Sequence, residues 1–439
     1  MKNKWLNILE NLGYRGDKLN TEIKERIKKI KKGEVPEKYQ STKAGIIPNC
    51  WSAKKAKDLF SSYIDKEHNG ELEVLSVTQD RGIIPRNDVG IDIKYDKASL
   101  KSYKKVCKGD YVISLRSFQG GIEYSNYEGI VSPAYTVLKE KKKIDRDFYK
   151  YLFKTERFIT RLNSVIYGIR DGKQISYSDF SELYLQEPAL SEQQKISEIL
   201  LIWDKAIELK EKFIKEKKKQ KNVLIQQLLT GEVRLPGFDG EWVVISLSEL
   251  CTTIIDGDWI ESKDQSDSGI RLIQTGNIGV GYFLEKEQTA KYISEETFER
   301  LHCNEVLPGD VLISRLPDPI GRACIVPQLD MRMITAVDCT ILRFKEFYTS
   351  EYFKQYACSN QYFNHIASLA GGSTRRRISR KELENIDVLL PLSIEEQKAI
   401  VNILNTADKE IMLINNQLEA LKLQKKGLMQ LLLAGIVRV

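Results

Sequence analysis

Residues 192–235 read EQQKISEILLIWDKAIELKEKFIKEKKKQKNVLIQQLLTGEVRL, and residues 396–439 read EQKAIVNILNTADKEIMLINNQLEALKLQKKGLMQLLLAGIVRV. A shift of 204 residues superimposes the two stretches. It aligns Ile199-Leu200 with Ile403-Leu404, Asp204 with Asp408, Gln220-Lys221 with Gln424-Lys425, and Gly231 with Gly435. Self-similarity at so long a period indicates that a large unit has been duplicated.

Both copies carry a stripe whose positions alternate four and three residues apart, with seven of ten positions apolar in the first copy and nine of ten in the second. In the first copy the stripe comprises Ile196, Leu200, Trp203, Ile207, Lys210, Ile214, Lys217, Lys221, Leu224 and Leu228. In the second it comprises Ile400, Leu404, Ala407, Ile411, Ile414, Leu418, Leu421, Lys425, Leu428 and Leu432. A sustained period of about 3.5 residues predicts a coiled-coil seam. Two unrelated core helices would not explain the shared Gln-Lys and Gly-x-Val-Arg identities.

The ends of the two predicted helices are also readable. Gly231 and Gly435 stand where a left-handed C-cap would terminate each helix. Neither helix can bury its stripe alone, so we expect the two copies to pack against each other. At about 1.5 Å per residue, such a helix is roughly 58 Å long, which makes it a rigid spacer.

Bulk composition limits the class of protein. A chain of 439 residues is expected to form two or three domains. It contains no apolar run long enough to span a bilayer and no secretory segment. None of its seven cysteines forms a Cys-x-x-Cys motif. We therefore expect a cytoplasmic protein with reduced thiols. Three histidines make a histidine-based metal site improbable, and the net charge of +7 points toward polyanions.

Residues 1–47 hold a short basic helix that Gly33 ends. The following Gly33-Glu34-Val35 echoes Gly231-Glu232-Val233, and each precedes a tryptophan, Trp51 or Trp242. This pattern leaves two interpretations open. The segment is either the tail end of a helix repeat, which makes the duplication circular, or a plain surface helix with solvated lysines.

Residues 48–188 and 236–390 form the two larger units, and they match each other weakly. Residues 108–114 (KGDYVIS) correspond to 308–314 (PGDVLIS), a Gly-Asp turn that feeds a strand. Glycine-led basic loops at 168–174 and 371–377 precede Ile175-Ser176 and Ile378-Ser379. A tyrosine-rich helical stretch precedes each loop, at Phe148–Asn163 and Glu351–Ser368. Each unit is therefore predicted to be α+β.

Taken together, these residues resemble the specificity (S) subunit of type I restriction–modification enzymes over residues 34–439. The strongest matches are Glu192–Ile196 and Gln226–Phe238, with weaker support from residues 309–315 and 275–278. The resemblance implies two target-recognition domains, 48–188 and 236–390, that alternate with two repeat helices, 189–235 and 391–439. It also implies that these helices form an antiparallel coiled coil that carries one domain at each end.

The same resemblance implies double-stranded DNA as the ligand. A spacing of about 58 Å corresponds to roughly 17 base pairs, so the two domains would read two half-sites separated by an unread gap. Arginine on guanine and Asn or Gln on adenine are the expected base contacts. The candidates are Arg170, Lys173, Gln174, Arg116, Gln119, Gln79 and Arg81 in the first unit, and Arg375, Arg376, Arg377, Arg315, Arg322, Gln274 and Asn277 in the second. Solvated charges and self-satisfied turns are the competing interpretation of these residues.

The repeat helices are implied to dock two modification (methyltransferase) subunits. The candidate contacts surround Trp203, Lys221, Leu224, Leu421, Lys425 and Leu428. The lysine-rich segment 210–221 either follows DNA phosphates or forms a solvated coiled-coil face, and we favour the solvated face.

No methyltransferase, Walker A or nuclease motif is convincing in this chain, and Gly168-x-x-x-Gly172-Lys173-Gln174 is one residue short of a phosphate loop. We therefore expect a non-catalytic chain without its own cofactor. S-adenosylmethionine, ATP and Mg²⁺ would be bound by modification and restriction/translocase subunits. Two alternatives remain at this stage, namely a free-standing DNA-binding protein and a coiled-coil scaffold that binds proteins.

Overall fold

The computed structural model describes residues 17–79, 81–90, 97–164, 175–372 and 376–439. The chain divides into two compact units. Unit 1 comprises Met1–Lys210 and Gln417–Val439, and unit 2 comprises Glu211–Asn416. No helix in the described part of the chain combines the length and apolar character needed to cross a lipid bilayer.

Unit 1 is built from short strands and helices that precede the first long helix. Its helices are α1 (Asp17–Lys31), α2 (Ala56–Leu59), α3 (Ser117–Gly120), α4 (Arg146–Leu152), α5 (Glu156–Ser164) and α6 (Tyr177–Ser181). Its strands are β1 (Tyr39–Thr42), β2 (Gly45–Pro48), β3 (Ser52–Lys55), β4 (Phe60–Tyr63), β5 (Leu75–Thr78), β6 (Gly82–Pro85), β7 (Lys104–Val106), β8 (Tyr111–Ile113), β9 (Glu123–Tyr124), β10 (Gly129–Val131), β11 (Thr136–Glu140) and β12 (Tyr184–Glu187). Two 3-10 helices lie at Arg86–Val89 and Lys97–Ser102.

The long helix α7 (Leu190–Leu229) follows, and the elements after it form unit 2. The helices are α8 (Leu247–Leu250), α9 (Glu295–Leu301), α10 (Ser350–Tyr356), α11 (Asn360–Leu369), α12 (Arg380–Glu384) and the second long helix α13 (Ile394–Leu433). The strands are β13 (Trp242–Ser246), β14 (Cys251–Asp256), β15 (Ile270–Ile273), β16 (Lys291–Ile293), β17 (Glu305–Val306), β18 (Val311–Ser314), β19 (Arg322–Ile325), β20 (Met333–Thr335), β21 (Cys339–Phe344) and β22 (Asp387–Pro391). Three 3-10 helices lie at Ser262–Asp264, Thr275–Asn277 and Glu287–Thr289.

The two long helices confirm the predicted seam. Each is an uninterrupted helix of 40 residues. None of the twenty predicted stripe positions is exposed, and Ile196, Leu200 and Ile214 in α7 and Ile400 and Leu404 in α13 are buried. By contrast, the lysines between these positions point to solvent, which agrees with a solvated face for segment 210–221.

Cross-helix pairs show that α7 and α13 run antiparallel within each unit. In unit 2, Lys221 Nζ lies 2.6 Å from Asp408 Oδ1, and Lys217 Nζ lies 2.7 Å from Glu410 Oε1. In unit 1, Lys425 forms an ion pair with Asp204. As residue numbers fall along one helix they rise along the other, which only antiparallel packing permits. The aspartate of each repeat therefore pairs with the lysine of the other repeat, Asp408 with Lys221 and Asp204 with Lys425.

Each helix ends as the glycine positions predicted. Gly231 has φ +72° and Gly435 has φ +66°, a left-handed conformation that favours glycine. A Cβ on Gly435 would also approach Pro48 to 2.6 Å, and one on Gly231 would meet the Trp242 ring at 3.5 Å. The glycines therefore end each helix and admit close packing by neighbouring side chains.

The shared Glu-Gln helix starts and Gly-x-Val-Arg helix ends meet each other. Arg234 donates two hydrogen bonds to the buried Glu396 carboxylate at 2.9 and 3.0 Å. In the other unit, Arg438 binds Glu192 in the same bidentate way, at 2.7 and 2.9 Å. The indole N–H of Trp242 donates to Glu396 and that of Trp51 donates to Glu192. This repeated trio explains why the motif residues recur in both copies.

A sheet of the same topology forms the centre of both units. The strand order is β4-β11-β8-β9 in unit 1 and β14-β21-β18-β19 in unit 2, and all pairings are antiparallel. The short pairs β3-β12 and β13-β22 also correspond. Unit 2 has a second four-stranded sheet, β16-β15-β20-β17. Each unit is thus α+β, as predicted, and the structure shows in addition that the two units share one sheet topology.

The tyrosine-rich stretches are helical, as predicted, and each is divided into two helices. Ser359 caps the second helix in unit 2 by accepting from Tyr362 N–H at 3.1 Å. In unit 1, Thr155 Oγ1 accepts from Phe158 N–H at 3.3 Å. These hydroxyls compete with the backbone for N–H groups, which interrupts the helix and starts a new one.

Helix α1 supports the circular interpretation of the N-terminal segment. Ile23 and Ile27 are buried in the same apolar cluster as Leu431 and Leu432 of α13. Gly33 has φ +79°, as the glycines after the long helices do. The segment therefore packs against the end of the second repeat helix and is more than a solvated surface helix.

Candidate nucleic-acid interface

The sheets of both units present an equivalent edge. We use the name reader edge for one end of the four-stranded sheet that the two units share. At this end the strand after the Gly-Asp turn finishes, which is β8 in unit 1 and β18 in unit 2. The reader edge comprises residues 114–119 in unit 1 and 314–322 in unit 2. The turns that start these strands are identical. Asp110 Oδ2 accepts from Cys107 N–H at 2.8 Å, and Asp310 Oδ2 accepts from Leu307 N–H at 2.8 Å. Because the following strands are buried, their register fixes where each reader edge lies.

The reader edge of unit 1 brings two predicted sets together. Gln79 Nε2 donates to the Arg116 carbonyl at 3.1 Å and to Gln119 Oε1 at 3.0 Å. Arg116 and Gln119 are exposed, and the Arg116 guanidinium has no hydrogen bond or ion pair with the described residues. In the part of the chain that the structure describes, the Arg116 guanidinium therefore lies free beside the amides of Gln79 and Gln119. Guanidinium groups hydrogen-bond guanine edges, and amides hydrogen-bond adenine edges.

Arg81 lies at the same turn but is already engaged. Its backbone N–H donates to Thr78 Oγ1 at 3.1 Å, and its Nη1 donates to the Asp88 carbonyl at 2.9 Å. These bonds hold the exposed side chain over the 3-10 helix that follows β6. A DNA contact by Arg81 stays a prediction.

Arg315 is buried in unit 2, where an exposed contact was expected. Only 5% of the residue is exposed, and its Nη2 lies 3.2 Å from Asp256 Oδ2. It also donates to the Val337 carbonyl. Burial lowers the pKa of the Arg315 guanidinium despite the neighbouring carboxylate. This placement makes Arg315 a residue that positions the reader edge, and direct base contact by it is sterically disfavoured.

Arg322 joins the 274–277 turn to the reader edge. Its Nη2 donates to the Thr275 carbonyl at 3.2 Å and to Ser314 Oγ at 3.1 Å. Asn277 builds that turn and is only 5% exposed. Its amide donates to the Leu284 carbonyl at 2.7 Å and accepts from Gln274 N–H at 3.0 Å. The side-chain amide of Asn277 is thus occupied by hydrogen bonds within the turn, whereas Gln274 remains partly exposed.

The described ends of the second basic loop, Gly371-Gly372 and Arg376-Arg377, lie at the same edge. Gly371 and Arg377 exchange backbone hydrogen bonds at 3.0 and 2.9 Å, and Arg377 lies 3.3 Å from Asp338 Oδ1. Arg376 is exposed and donates to the Ala367 carbonyl. The structure therefore gathers the three predicted sets of unit 2 around one edge. Arg375, and Arg170, Lys173 and Gln174 of unit 1, lie outside the described residues.

Two carboxylates of this edge were missed by sequence reasoning. Asp256 pairs with Arg315 and Asp338 pairs with Arg377. Each pair joins residues that are distant in sequence, so no local spacing could reveal it. The only available signal was that Asp256 ends one strand and Asp338 immediately precedes another, positions that a pairing of β14 with β21 brings to one end of the sheet.

The six side chains named as partner contacts lie in the helix seam. Leu428 is buried, Trp203 and Leu224 pack on the apolar clusters, and Lys221 and Lys425 are engaged in ion pairs. A side chain in the seam already contacts the other helix, so these side chains are poorly placed to contact a second protein. The exposed apolar residues of the same helices are Leu201, Ile202, Leu209, Phe213, Val223, Ile403, Met412, Leu413 and Leu423.

Comparison with known proteins agrees with this architecture. The chain is 24% identical to the type I restriction enzyme MjaVIII specificity subunit of Methanocaldococcus jannaschii, covering 94% of this chain and 96% of that protein. It is 25% identical to the putative type I restriction enzyme MjaX specificity subunit of the same organism, covering 92% and 97%. A solved structure described as showing complex assembly and conformational transition of the type I R-M system has the same fold, with a TM-score of 0.57 and 18% identity over 89% of this chain and 99% of that one.

The family model described as type I restriction modification DNA specificity domain matches residues 22–218 and again residues 239–423. The double match follows the duplication that the helices display. On this evidence, the chain belongs to the family of type I restriction–modification DNA specificity subunits.

Proposed function

We propose that this chain is the DNA sequence-specificity subunit of a type I restriction–modification system. Each unit reads one half of a bipartite, asymmetric site in double-stranded DNA. The long helices set the gap between the halves and dock two modification subunits. The protein works in the cytoplasm, where its DNA and its partner subunits are found.

The observation that carries this proposal is the repeated reader edge. Both units place arginine side chains at the same end of the common sheet, joined by two amides in unit 1, although the residues themselves differ. In unit 1 the edge presents Gln79, Arg116 and Gln119, and in unit 2 it presents Arg322 and Arg377. A common scaffold with different polar side chains suits two readers of different sequences, because base identity is read by side-chain donors and acceptors in the grooves.

The ion pairs of unit 2 favour recognition over catalysis. Asp256 and Asp338 each engage an arginine, an arrangement that orients guanidinium groups. The proposed role of the chain is to bind and orient DNA. S-adenosylmethionine would be used by the modification subunits, and ATP and Mg²⁺ by restriction/translocase subunits.

Methylation mapping tests the proposal. Cells that express this chain with a modification subunit of its system are compared with cells that express the modification subunit alone. We expect methylated adenines in a two-part motif that disappear when the chain is absent. Unchanged methylation from an active modification subunit would contradict the proposal and favour a free-standing DNA-binding protein or a scaffold.

A further inference from the structure

Trp259 is a large apolar side chain held in solvent beside the reader edge of unit 2. It is 70% exposed, in a loop between β14 and the Ser262–Asp264 helix. Tryptophan is highly buried on average, so an exposed indole at a binding surface indicates contact with a ligand. The question is whether the loop holds it there and what would cover it.

The loop backbone is fixed on both sides of Trp259. Asp258 N–H donates to the Thr335 carbonyl at 2.8 Å, and the Asp258 carbonyl accepts from Val337 N–H at 2.9 Å. The Asp258 carboxylate accepts two hydrogen bonds from Asn304, at 2.8 and 3.1 Å. On the other side, Ile260 packs against an apolar cluster of the unit. With both neighbours anchored, the indole is displayed by a rigid loop.

The same contacts place the loop that carries Trp259 at the end of the sheet that holds Arg315 and Arg377. The backbone N–H of Val337 donates to the Asp258 carbonyl, and the Val337 carbonyl accepts a hydrogen bond from Arg315. Asp256, three residues before Trp259, forms the ion pair with Arg315. The next residue after Val337 is Asp338, the partner of Arg377. Trp259 thus borders the cluster where the three predicted contact sets of this unit meet.

Unit 1 also exposes an apolar side chain after the equivalent strand, but at a different position. Its strand β4 pairs with β11 as β14 pairs with β21. Ile64 follows the last residue of β4 and is 64% exposed. The strand registers make Tyr63 equivalent to Ile255, so Ile64 corresponds to Asp256 and not to Trp259. The exposed indole is therefore a feature of unit 2.

We propose that Trp259 contacts duplex DNA at the half-site read by unit 2, packing its indole on sugar and base surface. This inference rests on the proposed function. The arginines of the neighbouring reader edge favour a polyanion over a protein partner, and Asp256 and Asp338 are each paired with one of them. Glu261, which accepts a hydrogen bond from the indole N–H at 3.4 Å, is paired with Lys263. An apolar ring can contact a thymine methyl group in a groove or wedge against a flexible base step.

The test uses the full chain co-purified with its modification subunit, and a DNA duplex carrying the bipartite motif found by methylation mapping. Two further duplexes have one half-site scrambled each. Trp259→Ala should weaken binding to the intact motif about ten-fold, within the range of aromatic contacts to bases. It should also lower discrimination against scrambling of one half only. Trp259→Phe, which keeps a ring, should recover most of the affinity.

Salt dependence identifies the kind of contact. Loss of an apolar contact leaves the slope of log affinity against log salt unchanged, whereas loss of a phosphate contact reduces it by about one. Phe347→Ala is the matched control. Phe347 is 74% exposed in the same unit, but it follows the opposite end of β21, away from Cys339 and the reader edge. We expect no change in affinity for this variant.

Different outcomes separate the two levels of inference. If Trp259→Ala binds the motif as tightly as the unmodified chain, the role of Trp259 is refuted and the proposed function stands. Loss of the modification subunit on purification, with DNA affinity intact, would assign Trp259 to a protein interface instead. If the unmodified chain does not discriminate the motif from the scrambled duplexes, the proposed function itself fails.

Discussion

At the scale of single residues, exposure separates arginines that can contact DNA from arginines that build the site. Arg116 is exposed and unengaged among the described residues, whereas Arg315 is buried against Asp256. Both had looked alike because each follows a Gly-Asp strand. Removing them should therefore have different consequences for DNA binding and for stability.

Arg116→Ala is expected to weaken DNA binding without destabilising the fold. Loss of one phosphate or base contact by an exposed guanidinium should cost about 1–3 kcal/mol of binding free energy. Titration of DNA at several salt concentrations, with thermal unfolding of the same sample, measures both effects. A lowered melting temperature with unchanged affinity would contradict this assignment.

Arg315→Ala is the matched opposite case. It leaves Asp256 without its arginine inside the unit, which should destabilise the chain by about 2–4 kcal/mol. Thermal unfolding measures the loss. An unfolding profile indistinguishable from that of the original chain would show that the buried pair is dispensable, and Arg315 would then regain its place among direct contacts.

The cysteines offer a second prediction at this scale. Burial raises the pKa of Cys251, Cys324 and Cys339 to about 12, while Cys50 is exposed. Since only the thiolate reacts, we expect alkylation of native protein at about pH 8 to modify Cys50 first and spare the three buried thiols. Mass spectrometry of tryptic peptides measures the modified fractions. Equal labelling of all four would contradict the burial, unless the sample had unfolded.

At the scale of the elements, the long helices are joined by charged pairs as well as by the apolar seam. Lys221 and Lys425 occupy stripe positions, and each meets an aspartate of the other helix. In unit 2, Asp408 also accepts from Gln355 at 2.9 Å, and in unit 1 Asp204 accepts from the Tyr151 hydroxyl at 2.5 Å. The aspartates thus connect each sheet-bearing part to the helix pair of its own unit. A polar pair in a seam also restricts its register.

A double-mutant cycle on Lys221 and Asp408 tests this connection. Lys221→Met and Asp408→Asn should each lower the free energy of unfolding by about 1–2 kcal/mol, between the values of exposed and buried ion pairs. The double variant should lose less than the sum, because the two side chains interact. Urea unfolding followed by helical circular dichroism gives the four values. Strict additivity would show that the pair contributes nothing to stability.

The helix starts provide a matched comparison of two carboxylates. Glu396 is fully buried under Arg234, whereas Glu192 under Arg438 has a side chain that is 12% exposed. Glu396→Gln should therefore cost about 3 kcal/mol, because it replaces a buried carboxylate that accepts two hydrogen bonds from Arg234 by a neutral amide. Glu192→Gln should cost less. Thermal unfolding of both variants ranks them, and the reverse order would refute the role assigned to burial.

At the scale of the whole molecule, the duplication predicts that the two readers are independent. Replacing residues 48–188 with the corresponding segment of another family member should change one half of the methylated motif and leave the other half and the gap unchanged. Methylation mapping of the chimaera gives the result directly. The reciprocal exchange of residues 236–390 is the control and should change only the other half. If one exchange altered both halves, the two-reader model would fail.

The sequence alone determined the frame of this protein. The helix seam, both glycine caps, the Gly-Asp turns, the α+β character of each unit and the family were all readable, because periodicity, turn chemistry and a repeat of 204 residues are local or self-comparing signals. The break in each tyrosine-rich stretch was missed because Ser359 and Thr155 act as caps only in a particular backbone conformation.

Only the tertiary structure decided which polar residues face a ligand. Arg315 and Asn277 carry side chains typical of DNA contacts, but they are buried because strands and turns from distant parts of the chain close over them. Conversely, nothing in the sequence around Trp259 indicated that both of its neighbours are anchored while the indole stays exposed. Burial and ion pairing depend on contacts between residues far apart in sequence, and such contacts exist only in the folded chain.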